Sequence, residues 1–312
     1  MPFSSLEVTK IPYHERLADR EYHCTMEIFN MNQIKYCFKF FLCLIVLLWS
    51  IPGMAAAVAR INISVSVLPQ AYFVERIGGT RVNIQVMIPK GASPETYEPT
   101  PRQMVMLTDS DIYVKVGSPS FPFEAKYFND ILKRNKKIIV VNMSDKVQYR
   151  SGDPHVWVAP ATVKIAAENI YQALSEADPL FKNYYKKNFD SFLKDIKKLD
   201  RDIRDSLAGK EGYSFMVFHP AWGYFADEYN LNQICVEEGG KTPSASHIRK
   251  MIEIARKKNI KIIFVQTGFD ERSADVIAEE TGGKVMQIDP LARNWLQNMK
   301  NVAKILSSVL RK

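Results

Sequence analysis

Four polar side chains lie in loops or at the ends of apolar segments, and their types are those that bind divalent metal ions. Glu95 lies in a loop, His155 lies just before a predicted helix, and His219 directly follows an apolar segment. Asp289 ends another apolar segment. Imidazole nitrogens and carboxylate oxygens both bind transition metals. One site that joins the four side chains would therefore offer two nitrogen and two oxygen ligands.

Taken singly, these residues also fit ordinary structural roles. A histidine or aspartate in a loop is more often a helix cap or a solvated group than a metal ligand. His247, the other histidine beyond residue 60, lies close to a predicted helix start at Ser246, and we expect it to be a surface or capping residue. Spacing alone leaves both interpretations of the four side chains open.

The elements that would position these side chains follow from the periodicity of apolar residues. Segment 179–207 is highly charged and has apolar residues at steps of three and four, which predicts one long amphipathic helix. The predicted strands lie at 61–68, 82–88, 112–116, 137–142, 214–218, 261–265 and 285–288, and the other predicted helices at 71–77, 100–109, 160–177, 246–257, 273–280 and 295–310. Repeated βα units on both sides of the long helix predict two α/β lobes, each with a mostly parallel sheet. Ligands of such sheets lie beyond the carboxyl ends of the strands.

The N-terminal part has the order of a secretory signal. In segment 35–59, two lysines precede a short apolar run, which small residues follow. The run is shorter than the roughly 20 residues that span a bilayer, so we expect cleavage, between Ala56 and Arg60. A true start at Met31 is the simplest account of the polar residues ahead of it. Cys43 lacks the small residues that precede a lipidated cysteine, and we therefore expect a protein free in the periplasm.

Length and composition limit the remaining possibilities. A chain of 312 residues suggests two packed lobes, and 46% hydrophobic with 24% charged residues is ordinary for a folded protein. The net charge of +8 is spread along predicted helices such as 182–198, without clustered aromatic residues, so we expect no nucleic-acid partner. Removal of the signal leaves Cys235 alone, and one cysteine forms no internal disulfide.

The motifs around the four candidate ligands resemble those of the metal-specific solute-binding proteins of ABC importers, the zinc and manganese group called cluster A-I. The resemblance runs from about residue 61 to 312. The motifs are Gly-Ala-Ser-Pro-Glu-Thr-Tyr-Glu-Pro at 91–99, Asp-Pro-His-Val-Trp at 153–157, Phe-His-Pro-Ala-Trp-Gly-Tyr-Phe at 218–225 and Asp-Pro-Leu at 289–291. Together these motifs are highly specific.

The resemblance implies an architecture and partners. It implies two Rossmann-like α/β lobes joined by one long rigid helix, with the metal between the lobes and His155, His219 and Asp289 as ligands. We therefore expect a signal-containing extension at 1–59, a first lobe at 60–178, the linking helix at 179–209 and a second lobe at 210–312. The implied partners are an ABC permease and its ATPase at the inner membrane, and we expect a monomer.

Two departures from the family bear on the metal. Glu95 stands where the family usually has a histidine, and segment 142–152 lacks the histidines that zinc importers often carry ahead of the second ligand. Oxygen ligands suit harder ions. We therefore expect Glu95 to be a direct ligand and the transported ion to be Mn²⁺ or Fe²⁺, with Zn²⁺ as the close alternative.

We expect no catalysis, because four protein ligands leave no position for an activated water. The main alternative is a periplasmic metallohydrolase that uses the two histidines with Glu95 as general base. No His-Glu-x-x-His element or nucleophile motif supports it. A metal-binding adhesin of the same fold is the other alternative, and no lipid anchor or wall signal favours it.

Overall fold

The computed structural model describes residues 59–237, 241–266 and 272–310, together with residues 35, 36 and 39. The expected start at Met31, the apolar run of the signal and its cleavage site lie outside these residues or at their edge, and they stay predictions. Within the described part of the chain, none of the helices combines the length and the apolar character of a membrane span.

The first lobe is built on a parallel sheet that the described residues form with four strands in the order β2-β1-β3-β4. The strands are β1 (Ile61–Val65), β2 (Val82–Val86), β3 (Ile112–Lys115) and β4 (Ile139–Asn142), and the helices are α1 (Leu68–Gly78), α2 (Pro101–Met106), α3 (Pro122–Arg134) and α4 (Pro160–Ala177). Apolar β3 is buried over its first three residues, as expected for a strand of a parallel sheet that helices cover on both faces.

The second lobe repeats this plan with the strand order β6-β5-β7-β8, again parallel throughout in the described residues. Its strands are β5 (Ser214–Val217), β6 (Asn232–Cys235), β7 (Ile262–Val265) and β8 (Lys284–Gln287). The helices that follow α5, defined below, are α6 (Gly223–Glu228), α7 (Ala245–Lys257), α8 (Arg272–Thr281) and α9 (Trp295–Val309). Parallel pairing brings the carboxyl ends of all these strands to one edge, where polar side chains can meet.

Helix α5 (Lys182–Leu207, 26 residues) links the two lobes. Its buried face places apolar residues at the spacing of successive helical turns, namely Tyr185, Phe189, Phe192, Ile196, Leu199, Ile203 and Leu207. Phe192 of α5 packs against both Phe73 of α1 and Trp295 of α9, with ring centroids 6.0 Å and 6.4 Å away. The linking helix therefore shares one apolar core with helices of both lobes, which makes it a rigid connection.

The predicted fold class, two α/β lobes with mostly parallel sheets joined by one long helix, is confirmed. The long helix begins at Lys182 rather than at residue 179, because Pro179–Phe181 form a separate 3₁₀ turn. Helices α3 and α6 and strand β6 are missing from the sequence prediction. Strand β6 has the sequence Asn-Gln-Ile-Cys, in which apolar residues neither alternate with polar ones nor form a longer run, so apolar periodicity gives no signal for it.

Candidate metal centre

His219 lies at the centre of the site, two residues beyond the end of β5. Its Nε2 atom is 3.1 Å from Oε1 of Glu95 and 3.4 Å from Nε2 of His155. Glu95 and His155 belong to loops of the first lobe, and His219 belongs to the second. Three of the four predicted ligands therefore converge from both lobes on one point.

His155 is fixed by the turn in which it lies. The Asp153 carboxylate accepts hydrogen bonds from the backbone N–H of His155 at 2.9 Å and contacts its Nδ1 at 2.8 Å. The His155 ring packs edge-on against Trp157, with centroids 5.3 Å apart. With Nδ1 committed to Asp153, Nε2 is the nitrogen that faces His219.

Glu95 occupies the more open side of the site, in the loop between β2 and α2. Its side chain is 31% exposed, and its second carboxylate oxygen accepts a hydrogen bond from the Ser93 hydroxyl at 2.9 Å. Burial acts to raise the pKa of Glu95, but the hydrogen bond and the charge of His219 outweigh it, and the pKa of Glu95 lies below its ordinary value. Glu95 is therefore poised as an ionised oxygen donor.

His219 is enclosed between two carboxylates. Its Nδ1 is 2.9 Å from Oε2 of Glu237, on the side of the ring opposite Glu95. Burial alone would lower the pKa of His219, but Glu237 and Glu95 together raise it to about 9. In the metal-free protein a proton on His219 therefore occupies the position that a cation would take between Nε2 and Glu95.

Asp289 lies two residues beyond the end of β8. In the described contacts it touches none of the other three candidate ligands. Its Oδ1 accepts the backbone N–H of Leu291 at 2.8 Å, and its carbonyl accepts a hydrogen bond from Asn298 at 2.6 Å. Burial raises the pKa of the Asp289 carboxyl. The loop is held to the first lobe by Trp157, whose Nε1 donates to the Pro290 carbonyl at 2.7 Å. Trp157 thus connects the Asp-Pro-Leu motif to the Asp-Pro-His-Val-Trp motif, which contains His155.

The separations fit a metal centre whose ligands have not all closed. Two ligands at about 2.1 Å from one ion in tetrahedral geometry are about 3.4 Å apart, close to the two distances at His219 Nε2. Within the described part of the chain, however, no group of three or more His, Cys, Asp or Glu side chains forms a complete metal-binding arrangement. An ion at this point would have to replace the proton on His219.

Two residues of this centre have no assigned role in the sequence analysis, namely Asp153 and Glu237. Asp153 belongs to the Asp-Pro-His-Val-Trp motif, so its spacing of two residues from His155 was a usable signal. Glu237 follows β6, a strand that periodicity does not predict, and it lies 18 residues beyond His219. Only the pairing of β5 with β6 places it beside the ring.

A two-lobed α/β fold with histidine and carboxylate donors between its lobes defines a metal-binding solute-binding protein of ABC importers, as the motifs predicted. The family model described as ZnuA, zinc-uptake complex component A, periplasmic, matches residues 63–309. The chain belongs to this family.

Individual relatives agree with this assignment. The high-affinity zinc uptake system protein ZnuA of Bacillus subtilis is 24% identical over 259 residues, which are 74% of this chain and 79% of the relative. Two solved ZnuA structures, one of them a zinc-bound deletion mutant, superpose with a TM-score of 0.77 at 34% and 33% identity. They cover 80% and 81% of this chain and 99% of their own. The chain spans half the length of the zinc-binding lipoprotein AdcA of Streptococcus pneumoniae, at 23% identity.

Proposed function

We propose that this protein captures one Zn²⁺ ion in the periplasm through Glu95, His155, His219 and Asp289 and delivers it to an ABC permease with its ATPase. The observation that carries the proposal is the meeting of Glu95 Oε1 and His155 Nε2 at His219 Nε2, from loops of both lobes. A site built from loops of two lobes can surround an ion from both sides.

Asp289 completes the proposed ligand set. Its Oδ1 accepts the backbone N–H of Leu291. Its Oδ2 makes no hydrogen bond in the described contacts and is available to an ion. The Trp157 bond to Pro290 holds its loop beside the histidine motif. An arriving cation would also stabilise the ionised form of the carboxyl, whose burial otherwise disfavours charge.

The choice of zinc rests on the relatives and on general affinity. The zinc-bound ZnuA mutant and the zinc-uptake family favour zinc, and almost any site of nitrogen and oxygen ligands binds Zn²⁺ more tightly than Mn²⁺ or Fe²⁺. The expectation of Mn²⁺ or Fe²⁺, which rests on the oxygen donor Glu95, stays a prediction. Geometry and metal availability would have to overcome the intrinsic preference for zinc.

A metallohydrolase is the weaker alternative. A catalytic zinc keeps three protein ligands and an open position for water, whereas the proposed site has four protein ligands. The relative from Bacillus subtilis is a zinc uptake system protein, and we infer that this chain has no enzymatic activity.

The proposal is tested on protein stripped of metal. Calorimetric titration with Zn²⁺ should show one site per chain, and competition should show Mn²⁺ to be bound more weakly. Elemental analysis of protein isolated from its native compartment should find about one zinc per chain. Manganese or iron at that stoichiometry would assign the cargo to the harder ions, and no bound metal in either measurement would refute a metal receptor.

A further inference from the structure

We infer that Glu237 is a positioning residue of the metal site, which holds the His219 ring so that Nε2 points at the ion. The inference rests on the proposed function, since it assigns a role toward the same ion. It adds a residue that belongs to none of the four motifs. Glu237 acts through His219 and does not itself touch the ion.

The contact between the two side chains is short and enclosed. Oε2 of Glu237 lies 2.9 Å from Nδ1 of His219, and the side chains are 6% and 8% exposed. Because water has little access, an unpaired Nδ1–H or carboxylate here would carry the full cost of desolvation. The bond therefore fixes the proton of the neutral ring on Nδ1 and leaves the lone pair of Nε2 for a metal.

The position of Glu237 is set by the sheet. Strand β6 pairs in parallel with β5, and the ladder continues beyond both strands, where Val236 N–H donates to Val217 at 2.9 Å and Glu237 N–H donates to the Phe218 carbonyl at 3.0 Å. The Cys235 thiol donates to the Phe218 carbonyl at 3.2 Å as well. The backbone segments that carry His219 and Glu237 are thus tied together at the point where the side chains meet.

Two carboxylates flank the ring, and their surroundings assign them different roles. Glu95 contacts Nε2, the nitrogen that also faces His155, and it is 31% exposed. Glu237 contacts Nδ1 on the opposite edge and is almost fully enclosed. A single ion cannot be bound from both edges of the same ring, so Glu95 is placed as a ligand and Glu237 as the group that orients the ligand.

The expected consequence is a loss of affinity with the fold preserved. Removal of a carboxylate that orients a metal-bound histidine typically weakens metal binding by about 10- to 100-fold. Glu237→Leu removes the acceptor at similar volume and should fall in this range for Zn²⁺. Glu237→Gln keeps an oxygen that accepts from Nδ1–H but lacks the charge, and it should recover most of the lost affinity.

The experiment compares zinc titrations of these two variants with the parent and with Glu228→Gln as a matched control. The Glu228 side chain is also only 9% exposed, but its described partners are the backbone N–H of Ala161 and the Arg204 guanidinium rather than either histidine of the site. Its variant should bind zinc as the parent does. A second readout is the Nδ1 proton of His219 in zinc-loaded protein, observed by NMR, which should exchange slowly in the parent and shift in Glu237→Gln.

The possible outcomes separate this inference from the proposed function. Parent-like zinc affinity in Glu237→Leu, or a rapidly exchanging Nδ1 proton in the zinc-loaded parent, would overturn the inference. If Glu237→Leu fails to fold, the inference is tested by the NMR signal of the His219 Nδ1 proton in zinc-loaded Glu237→Gln. An unshifted signal in that variant would overturn the inference. If His219→Ala itself binds zinc like the parent, the proposed site is wrong. Lost binding in His219→Ala with full binding in Glu237→Leu refutes the positioning role alone.

Discussion

The two histidines of the site are held in the same chemical way but by different levels of structure. Both side chains are 8% exposed, and both present Nδ1 to a carboxylate, at 2.8 Å for His155 and 2.9 Å for His219. Asp153 lies two residues before His155, within one turn, whereas Glu237 reaches His219 across a pair of parallel strands. One candidate ligand is oriented by local sequence and the other by tertiary structure.

This difference has consequences for how the site forms. The Asp153 carboxylate also accepts the backbone N–H of His155, so turn and ring orientation form together. Arg150 contacts this carboxylate at 3.4 Å and also pairs with Asp227 of the second lobe. The carboxylate that contacts His219 lies 18 residues away in sequence, so the orientation of this ring depends on the register of β5 and β6. We therefore expect the second lobe to be the more sensitive half of the site.

The largest effect is expected from removal of either histidine. His155→Ala and His219→Ala should each weaken zinc binding by more than the roughly 100-fold limit typical of lost orienting groups, since each removes a direct ligand. The rise of the melting temperature with zinc concentration should disappear in both variants. His247→Ala, which alters the histidine at the start of α7, is the control and should bind normally. Retained thermal stabilisation in His219→Ala would place the site elsewhere.

Substitutions of Glu95 test the more open side of the candidate metal centre. Glu95→Ala should weaken the binding of both Zn²⁺ and Mn²⁺ by about tenfold, less than loss of a histidine, because water can replace this partly exposed ligand. Glu95→His should preserve binding and shift the preference toward zinc, since imidazole is the softer donor. Calorimetry on stripped protein measures both effects. An unchanged Mn²⁺ affinity in Glu95→Ala would exclude Glu95 as a ligand.

The pH dependence follows from His219. Its folded-state pKa of about 9 lies above the ordinary value of 6.5, so the protonated ring stabilises metal-free protein fully below pH 6.5, and this contribution is lost as the pH rises through 9. Zinc must displace this proton, so zinc affinity should rise by up to about tenfold per pH unit over the same window.

Glu95→Gln is the informative variant for this pH dependence, because it removes one of the two carboxylates that raise the pKa of His219. The pH range over which zinc affinity rises should therefore move to lower pH in this variant. Titrations of the parent and the variant from pH 6 to 9 make the comparison. A pH-independent zinc affinity in the parent would contradict the assignment of His219 as a ligand that must lose a proton.

The smallest effect is expected for Asp153→Asn. The amide oxygen can still accept both N–H groups of His155, so zinc binding should weaken by less than about tenfold, at the low end for an orienting group. Asp153→Ala, which removes both acceptors, should weaken binding further and lower the melting temperature of metal-free protein. If Asp153→Ala proved harmless while Glu237→Leu did not, only the second-lobe histidine would need an orienting carboxylate.

Much of the molecule was determined by the sequence itself. Apolar periodicity predicted the α/β class, the long linking helix and most strands, because burial of one face repeats every few residues along the chain. The motifs at 91–99, 153–157, 218–225 and 289–291 predicted a metal-binding solute-binding protein, which the family match confirms. The four-ligand assignment stays a prediction, with Glu95, His155 and His219 in contact and Asp289 turned to its own loop.

Only the tertiary structure decided how these residues work together. The placement of Glu237 behind His219 and the bond from Trp157 to Pro290 join residues 18 and 133 positions apart. Such contacts depend on strand register and lobe packing, which arise from the summed burial of many side chains and leave no local pattern in the sequence. Strand β6 is absent from the sequence prediction because Asn-Gln-Ile-Cys shows neither alternation nor a longer run of apolar residues. Local sequence specified the candidate donors and oriented the His155 ring through Asp153, whereas non-local packing placed Glu237 against Nδ1 of His219.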